Sequence, residues 1–283
     1  MLTIFAIPKS FADPQSALIQ RNAIQSWTLL RPRPEIFLFG DEAGIQEICR
    51  QFSLRHIPAV SRNEYGTPHL NDVVVQAERL ATHRLMCYVN ADIIFMSDFI
   101  AAIRRFEEWN PESLAAGSRW NLDIPSEWKF DETGWEEKLR VLARSKGVLQ
   151  ESTTDCFVFP RGFYQGMPPF AIGRTAFDNW LIWKARKKGS PVVNLTPAVM
   201  VIHQNHWTLE KLQRMYHSPE AAVNQRLAGP WASSFTLGDA SHRMTPDGIH
   251  SIGAQALWNR SRCVWEMIEA QARRTIRKRF LSS

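Results

Sequence analysis

The sequence lacks most of the short motifs by which common enzyme classes are recognised. It has neither a GxGxxG after its first predicted strand nor a GxxxxGK[ST], so dinucleotide-binding and P-loop folds lose their usual support. It also lacks a GxSxG elbow and an HExxH pair, which removes support for α/β-hydrolases and zincins. Its four cysteines lie far apart without a CxxC pair. This spacing argues against a zinc ribbon or a disulfide scaffold and predicts reduced thiols.

Long hydrophobic runs are missing as well. No window holds the roughly 18 uninterrupted apolar residues of a membrane-spanning helix. Residues 1–11 lack both the positive region and the apolar length of a signal peptide. The sequence therefore predicts a soluble, cytoplasmic protein. Its 283 residues, 45% hydrophobic and 22% charged, are typical of a globular chain with one large or two small domains.

The net charge is moderately basic. Thirty-four Lys and Arg against 28 Asp and Glu give +6, and most of this charge is dispersed, so we expect no nucleic-acid partner. A basic cluster with interleaved apolar residues occupies 273–279. Two interpretations of this cluster remain open. It contacts an anionic membrane surface peripherally, or its cations complement the dipole of a helix end.

Strand-like and helix-like segments alternate along the first half of the chain. Predicted strands at 2–7, 36–39, 56–60 and 86–89 alternate with predicted helices at 14–30, 45–52, 71–83 and 97–109. The second half adds strands at 114–116, 157–159, 192–195 and 199–202 and helices at 135–144 and 176–188. This order predicts an α/β fold with a mostly parallel sheet flanked by helices. We expect a catalytic core at 1–205 and a helical C-terminal extension at 206–283, with a long helix near 255–280.

Two predicted strands end in side chains of the types that can bind a metal ion. The strand at 86–89 leads into Asn90-Ala91-Asp92, and alternation places Asn90 and Asp92 on one side, where both can face one ion or its water shell. Hard divalent cations prefer such oxygen ligands. The alternative is an aspartate that only forms a turn. The strand at 199–202 ends at His203, which either joins the same ion or is a capped surface histidine. A separate zinc pair of His203 and His206 lacks a third ligand.

A third candidate is Asp178, in the first turn of a predicted helix that follows a glycine-containing loop. Its carboxylate either complements the helix dipole or acts as a general base directed into a cleft. The sequence leaves both interpretations open.

Several segments together resemble GT-A nucleotide-sugar glycosyltransferases over residues 2–206. They are GTPHLNDVVVQAE, YVNADIIF, FVFPRG, FAIGRTAFDNWLIWKA and HQNHW. The resemblance implies a nucleotide-diphospho-sugar transferase fold. It also implies a Mn²⁺ or Mg²⁺ cofactor bound by Asp92 and His203. Asn90-Ala91-Asp92 is at the position of the family's DxD motif, but Asn90 replaces the first carboxylate, so only Asp92 supplies charge there.

The same resemblance implies roles for further residues. Pro8 and Lys9 after the first strand, with Asp41 after the second, would contact the nucleobase, and Asn71 would approach the ribose or donor sugar. Asp178 would be the base that activates the acceptor hydroxyl, which favours inversion at the anomeric carbon. Two residues are candidates for the acceptor side, Asp155 and Arg174. Asp155 alternatively forms a turn, and Arg174 alternatively pairs with a carboxylate.

These observations predict a metal-dependent glycosyltransferase. It would move a sugar from a nucleoside-diphosphate donor to a hydroxyl of a glycan or lipid-linked acceptor in polysaccharide biosynthesis. The alternative is a non-catalytic nucleotide-sugar- or glycan-binding protein on the same scaffold, because Asn90 departs from DxD. A nucleotidyltransferase is disfavoured because the glycine-rich signature after the first strand is missing.

Overall fold

A computed structural model describes residues 2–110, 112–206 and 208–253. The predicted helix at 255–280 and the basic cluster at 273–279 lie outside these residues. Within them, no helix has both the length and the apolar character needed to cross a membrane.

Strands and helices alternate through most of the described chain. The strands are β1 (Leu2–Ala6), β2 (Glu35–Phe39), β3 (Arg55–Ile57), β4 (Leu85–Val89), β5 (Ile93–Ile94), β6 (Leu114–Leu122), β7 (Val148–Pro160), β8 (Val192–Asn194), β9 (Val201–Gln204), β10 (His242–Thr245) and β11 (Gly248–Ser251). The helices are α1 (Pro14–Leu29), α2 (Ile45–Phe52), α3 (Leu70–Leu80), α4 (Ser97–Trp109), α5 (Trp135–Lys146), α6 (Phe177–Lys187), α7 (Leu209–His217) and α8 (Pro219–Ala228).

These strands form one sheet in the order β11-β10-β8-β6-β7-β4-β1-β2-β3, while β9 pairs with both β6 and β5. Neighbours are parallel at β1–β2, β2–β3, β1–β4, β6–β8, β6–β9 and β8–β10. The antiparallel pairs are β4–β7, β6–β7, β5–β9 and β10–β11. The prediction of a mostly parallel sheet flanked by helices is therefore confirmed.

Local sequence explains where the helices begin. The Asp13 side chain accepts a hydrogen bond from the Ser16 amide at 2.8 Å, and Pro14 occupies the first turn, where a missing N–H costs nothing. Buried residues of α1 then pack on the sheet together with α2 and α4, while α3 and α6 pack with residues of the opposite face. Trp27 on α1 donates from Nε1 to the Ile93 carbonyl at 2.8 Å, which attaches α1 to the segment that follows β4.

The structure also contains strands that the sequence pattern does not predict. β6 and β7 are much longer than the predicted strands at 114–116 and 157–159, and their pairing shifts register on both sides of Ser118. In the predicted helical extension, β10 and β11 form a hairpin that pairs with β8. Met244 is the one fully buried side chain of β10. This edge hairpin therefore lacks the run of apolar residues from which a strand is predicted. The division of the chain at residue 205 remains a prediction.

Candidate functional site

Asp92 and His203 come together because of how β5 and β9 pair. The chain leaves β4 at Val89, turns through Asn90-Ala91-Asp92 and enters β5, where Ile93 is opposite His203 on β9. The Gln204 side chain reinforces this junction by donating from Nε2 to the Asp92 carbonyl at 3.1 Å. The pairing of these two short strands therefore fixes Asp92 beside His203.

His206 completes a cluster of three possible metal ligands. The Asp92 Oδ2 atom lies 3.6 Å from His203 Nε2 and 3.7 Å from His206 Nε2. All three ligand atoms lie within 4.8 Å of one another. Two ligands that each lie about 2.1 Å from one ion are roughly 3.4 Å apart at a tetrahedral angle, so the observed spacing suits a shared divalent cation.

Two further observations agree with a metal at this cluster. The Nδ1 atom of His206 lies 3.1 Å from the Gln204 carbonyl, which can only accept, so Nδ1 carries the proton and Nε2 keeps its lone pair. The second carboxylate oxygen of Asp92, Oδ1, is buried and has no hydrogen bond within the described residues. One carboxylate and two imidazoles can bind Mn²⁺ and other divalent cations.

Positive charge surrounds this cluster. The Lys9 ammonium lies 3.5 Å from His206 Nε2. Burial lowers the pKa of Lys9, and so do three neighbouring cations, Lys211, Arg174 and Arg214, while Asp92 acts in the opposite direction. Burial alone would raise the pKa of Asp92, but His203, His206 and Lys9 outweigh it and lower that pKa, so Asp92 is ionised. An anion such as a diphosphate would be attracted to this set of cations.

A second polar cluster lies next to the first. The Asn90 side chain donates from Nδ2 to Asp155 Oδ1 at 2.7 Å, and its backbone amide donates to the Asp155 carbonyl at 3.1 Å. Arg119 on β6 forms a buried ion pair with the other oxygen of Asp155. The sequence analysis places Asn90 facing an ion with Asp92, whereas the structure shows its amide group holding Asp155.

Asp178 is close enough to interact electrostatically with this second cluster. It lies in the first turn of α6, as predicted. Ala176, two residues earlier, has a φ of 83° in the left-handed region, which is strained for a residue with a Cβ. Burial raises the pKa of Asp178 to about 6, with a smaller contribution from Asp155, whereas Arg119 and backbone amides lower it. A carboxyl with this pKa is a stronger base than an ordinary aspartate.

The other predicted residues lie in varied surroundings. Asp41 is mostly exposed and pairs with Arg62 at 2.6 Å. Pro8 is buried after β1. Asn71 lies in the first turn of α3, and its Oδ1 is buried without a hydrogen bond among the described residues.

Arg174 forms a buried ion pair with Glu220 of α8, with its Nε at 2.9 Å and Nη2 at 2.5 Å from one carboxylate oxygen. The sequence allows Arg174 either to bind the acceptor or to pair with a carboxylate, and the structure shows the pairing with a carboxylate. Glu220 also accepts from Asn63 Nδ2 at 2.8 Å, so the pair connects the loop before α3, the loop before α6 and α8. A contribution of Arg174 to acceptor binding remains a prediction.

Sequence reasoning missed two members of the site. The sequence pattern offers no third ligand for the pair of His203 and His206, and in the structure Asp92 supplies it. The spacing of the two histidines directly after a strand was the available signal. Arg119 gave no comparable signal, because only the pairing of β6 with β7 brings it to Asp155.

Solved structures with a similar fold include proteins that bind nucleotide sugars. A structure of residues 1–349 of S. aureus TarS in complex with UDP-GlcNAc matches with a TM-score of 0.52 and 14% identity, over 81% of this chain and 65% of that TarS chain. The mannosyltransferase PcManGT from Pyrobaculum calidifontis, in complex with GDP-Man and Mn²⁺, matches with a TM-score of 0.44 and 16% identity over 71% of this chain. The chain spans 56% of that protein.

The similarity to TarS shows the fold, which is the GT-A-like arrangement of a largely parallel sheet flanked by helices. No protein-family model matches the sequence, and no curated protein is similar to it.

Proposed function

We propose that this protein is a metal-dependent glycosyltransferase that moves a sugar from a nucleoside-diphosphate donor to an acceptor hydroxyl. The observation that carries this proposal is the Asp92, His203 and His206 cluster in a GT-A-like sheet. Asp92 follows β4, His203 lies in β9 and His206 lies just after β9. Mn²⁺ or Mg²⁺ is the proposed cofactor. Asp178 provides a separate carboxylate beside Asp155 for proton transfer.

The chemistry divides between the two clusters. A bound divalent cation would neutralise charge that develops on the departing nucleoside diphosphate. Lys9 adds positive charge at the same position because it acts on Asp92 electrostatically, and the Lys211 ammonium donates to the His206 carbonyl at 3.0 Å. Because the pKa of Asp178 is about 6, roughly nine-tenths of this residue is ionised at pH 7 and can accept the proton of an acceptor hydroxyl. Attack from that side, opposite the leaving group, inverts the anomeric carbon.

The remaining assignments belong to the same proposal. Pro8, Asp41 and Asn71 contribute to donor binding, with Asn90 acting through Asp155. Asp155 and Arg174 border the acceptor, for which we propose a glycan or a lipid-linked glycan in polysaccharide biosynthesis. The protein would act in the cytoplasm, with residues 273–279 contacting the membrane surface.

A non-catalytic nucleotide-sugar-binding protein is the second candidate. It is favoured by Asn90, which replaces a charged residue, and by Asp155, whose two oxygens are already bound by Asn90 and Arg119. Donor turnover separates the two candidates, because a binding protein would retain the intact nucleotide sugar.

The first test is calorimetric binding of UDP, GDP, dTDP and CDP with and without Mn²⁺. We expect one nucleotide to bind only with metal, and Asp92→Asn or His206→Ala to abolish that binding. His242→Ala is the matched control, since His242 is a partly buried histidine on β10 outside the cluster. Failure of every nucleotide to bind under any metal condition would refute the proposal.

The second test follows the corresponding nucleotide sugar with candidate glycan acceptors. Release of nucleoside diphosphate together with a glycosylated product establishes transfer. NMR of the product gives its anomeric configuration. Retention would remove Asp178 from the role of base for an inverting attack.

A further inference from the structure

Tyr88 is a buried aromatic residue whose ring is held firmly between neighbouring strands. It is the fourth residue of β4 and is opposite Phe5 of β1 and Phe157 of β7. Its ring lies 5.7 Å from the ring of Phe5 and makes an edge contact with Phe177, 6.1 Å away, at the start of α6. Only 2% of the residue is exposed. The packing therefore determines where its hydroxyl lies.

The ring contact with Phe177 brings Tyr88 close to the neighbouring residue Asp178, and carboxylates of both clusters act electrostatically on the Tyr88 hydroxyl. Burial raises the pKa of Tyr88, and the charges of Asp155, Asp92 and Asp178 raise it further. The hydroxyl thus stays protonated and can donate a hydrogen bond. Three carboxylates from β7, the β4–β5 turn and α6 act on this one donor.

The Tyr88 hydroxyl donates no hydrogen bond to any of these three carboxylates. It donates none to any other residue that the structure describes. The hydroxyl oxygen is not completely enclosed by the protein. Tyr164 provides the contrast. It is equally buried, but its hydroxyl donates to the Leu181 carbonyl at 3.1 Å. A buried ring with an unused donor beside ionised groups is unusual for a residue with only a structural role.

We propose that Tyr88 is a further substrate-binding residue, whose hydroxyl donates a hydrogen bond to a sugar oxygen held between Asp92 and Asp178. A sugar hydroxyl both donates and accepts, so carboxylates alone satisfy only half of its hydrogen-bonding capacity. Tyr88 supplies a donor in a place where the neighbouring carboxylates only accept. This inference depends on the proposed function for the identity of the ligand as a sugar, and both donor and acceptor sugars have the required oxygen.

The test compares Tyr88→Phe with Tyr164→Phe, since each change deletes one buried hydroxyl. Calorimetry with Mn²⁺ measures the affinity for each nucleotide sugar and for the matching nucleoside diphosphate. The pairs include UDP-GlcNAc with UDP and GDP-mannose with GDP. Urea unfolding measures the stability of both variants. Kinetics with glycan acceptors gives kcat and KM for each substrate.

We expect Tyr88→Phe to weaken nucleotide-sugar binding about 5- to 10-fold without changing nucleoside-diphosphate binding, if the oxygen belongs to the donor. If the oxygen belongs to the acceptor, acceptor kcat/KM falls by a similar factor while donor binding is unchanged. In either case Tyr88→Phe should be as stable as the wild type, whereas Tyr164→Phe should be less stable with normal sugar binding.

The inference is overturned if Tyr88→Phe binds donor and uses acceptor as the wild type does. It is equally overturned if the variant loses stability as Tyr164→Phe does, because the hydroxyl would then have a structural partner. Failure of the proposed function gives a different result, in which the wild type itself binds no nucleotide sugar.

Discussion

Asp178→Asn should make the protein more stable at neutral pH, and this gain should decrease in acid. The substitution keeps the shape of the side chain and an oxygen that can accept from the Asn179 amide, but it removes the charge. Burial is the main reason that the pKa of Asp178 is about 6 instead of 3.8, so the folded protein binds this proton more tightly than the unfolded chain. Stability attributable to the group is therefore lost as the pH rises through 6.

The magnitude follows from these two pKa values. A difference of about 2 units corresponds to about 3 kcal/mol of destabilisation in the wild type at pH 7, at 1.36 kcal/mol per unit. At pH 4.5 the same linkage gives about 1 kcal/mol, because most of the carboxyl is protonated in the folded state. Asp178→Asn should therefore increase the free energy of unfolding by about 3 kcal/mol at pH 7 and by about 1 kcal/mol at pH 4.5.

Urea unfolding of both proteins at pH 4.5 and pH 7 measures the effect. Asp13→Ala gives the opposite pH dependence as a control, since hydrogen bonds from the Ser16 side chain and from the Ser16 amide lower the pKa of Asp13. Its contribution is present above the unfolded pKa and is lost as the pH falls. The reasoning is refuted if Asp178→Asn is less stable than the wild type at pH 7, or if its gain is the same at both pH values. Loss of sugar transfer in the more stable variant would support the role of base.

Three other results are expected. Asp155→Asn should lower the pKa of Asp178, because the like charge of Asp155 is one of the causes that raise it. The acid limb of the pH–rate profile should then move to lower pH, and an unchanged limb would exclude this coupling. His206→Ala should weaken Mn²⁺ binding at least about tenfold in calorimetry while His242→Ala does not, and equal affinities would remove His206 from the ligand set. Glu220→Gln should cost roughly 3 kcal/mol in urea unfolding at pH 7, because the buried partner Arg174 loses its counter-charge, and a neutral effect would contradict that pairing.

The sequence predicted those parts of the fold and site that depend on local pattern. Alternating apolar runs located the first four strands and the helices between them, and polar residues after two strands identified Asp92 and His203. The pattern could not predict contacts made by chain segments far apart in sequence. Asp155 reaches Asn90 only because β7 pairs antiparallel with β4, across 65 residues of chain.

The same pairing gives a structural reason for an amide side chain at position 90. Asp155 already brings one carboxylate to this place, and its Oδ1 lies 2.7 Å from the Asn90 amide nitrogen. A carboxylate at position 90 would put two negative charges in contact and would compete with Asp155 for the single cation of Arg119. An amide avoids that repulsion and donates a hydrogen bond instead. The amide of Asn90 therefore suits its neighbour Asp155 better than a carboxylate would.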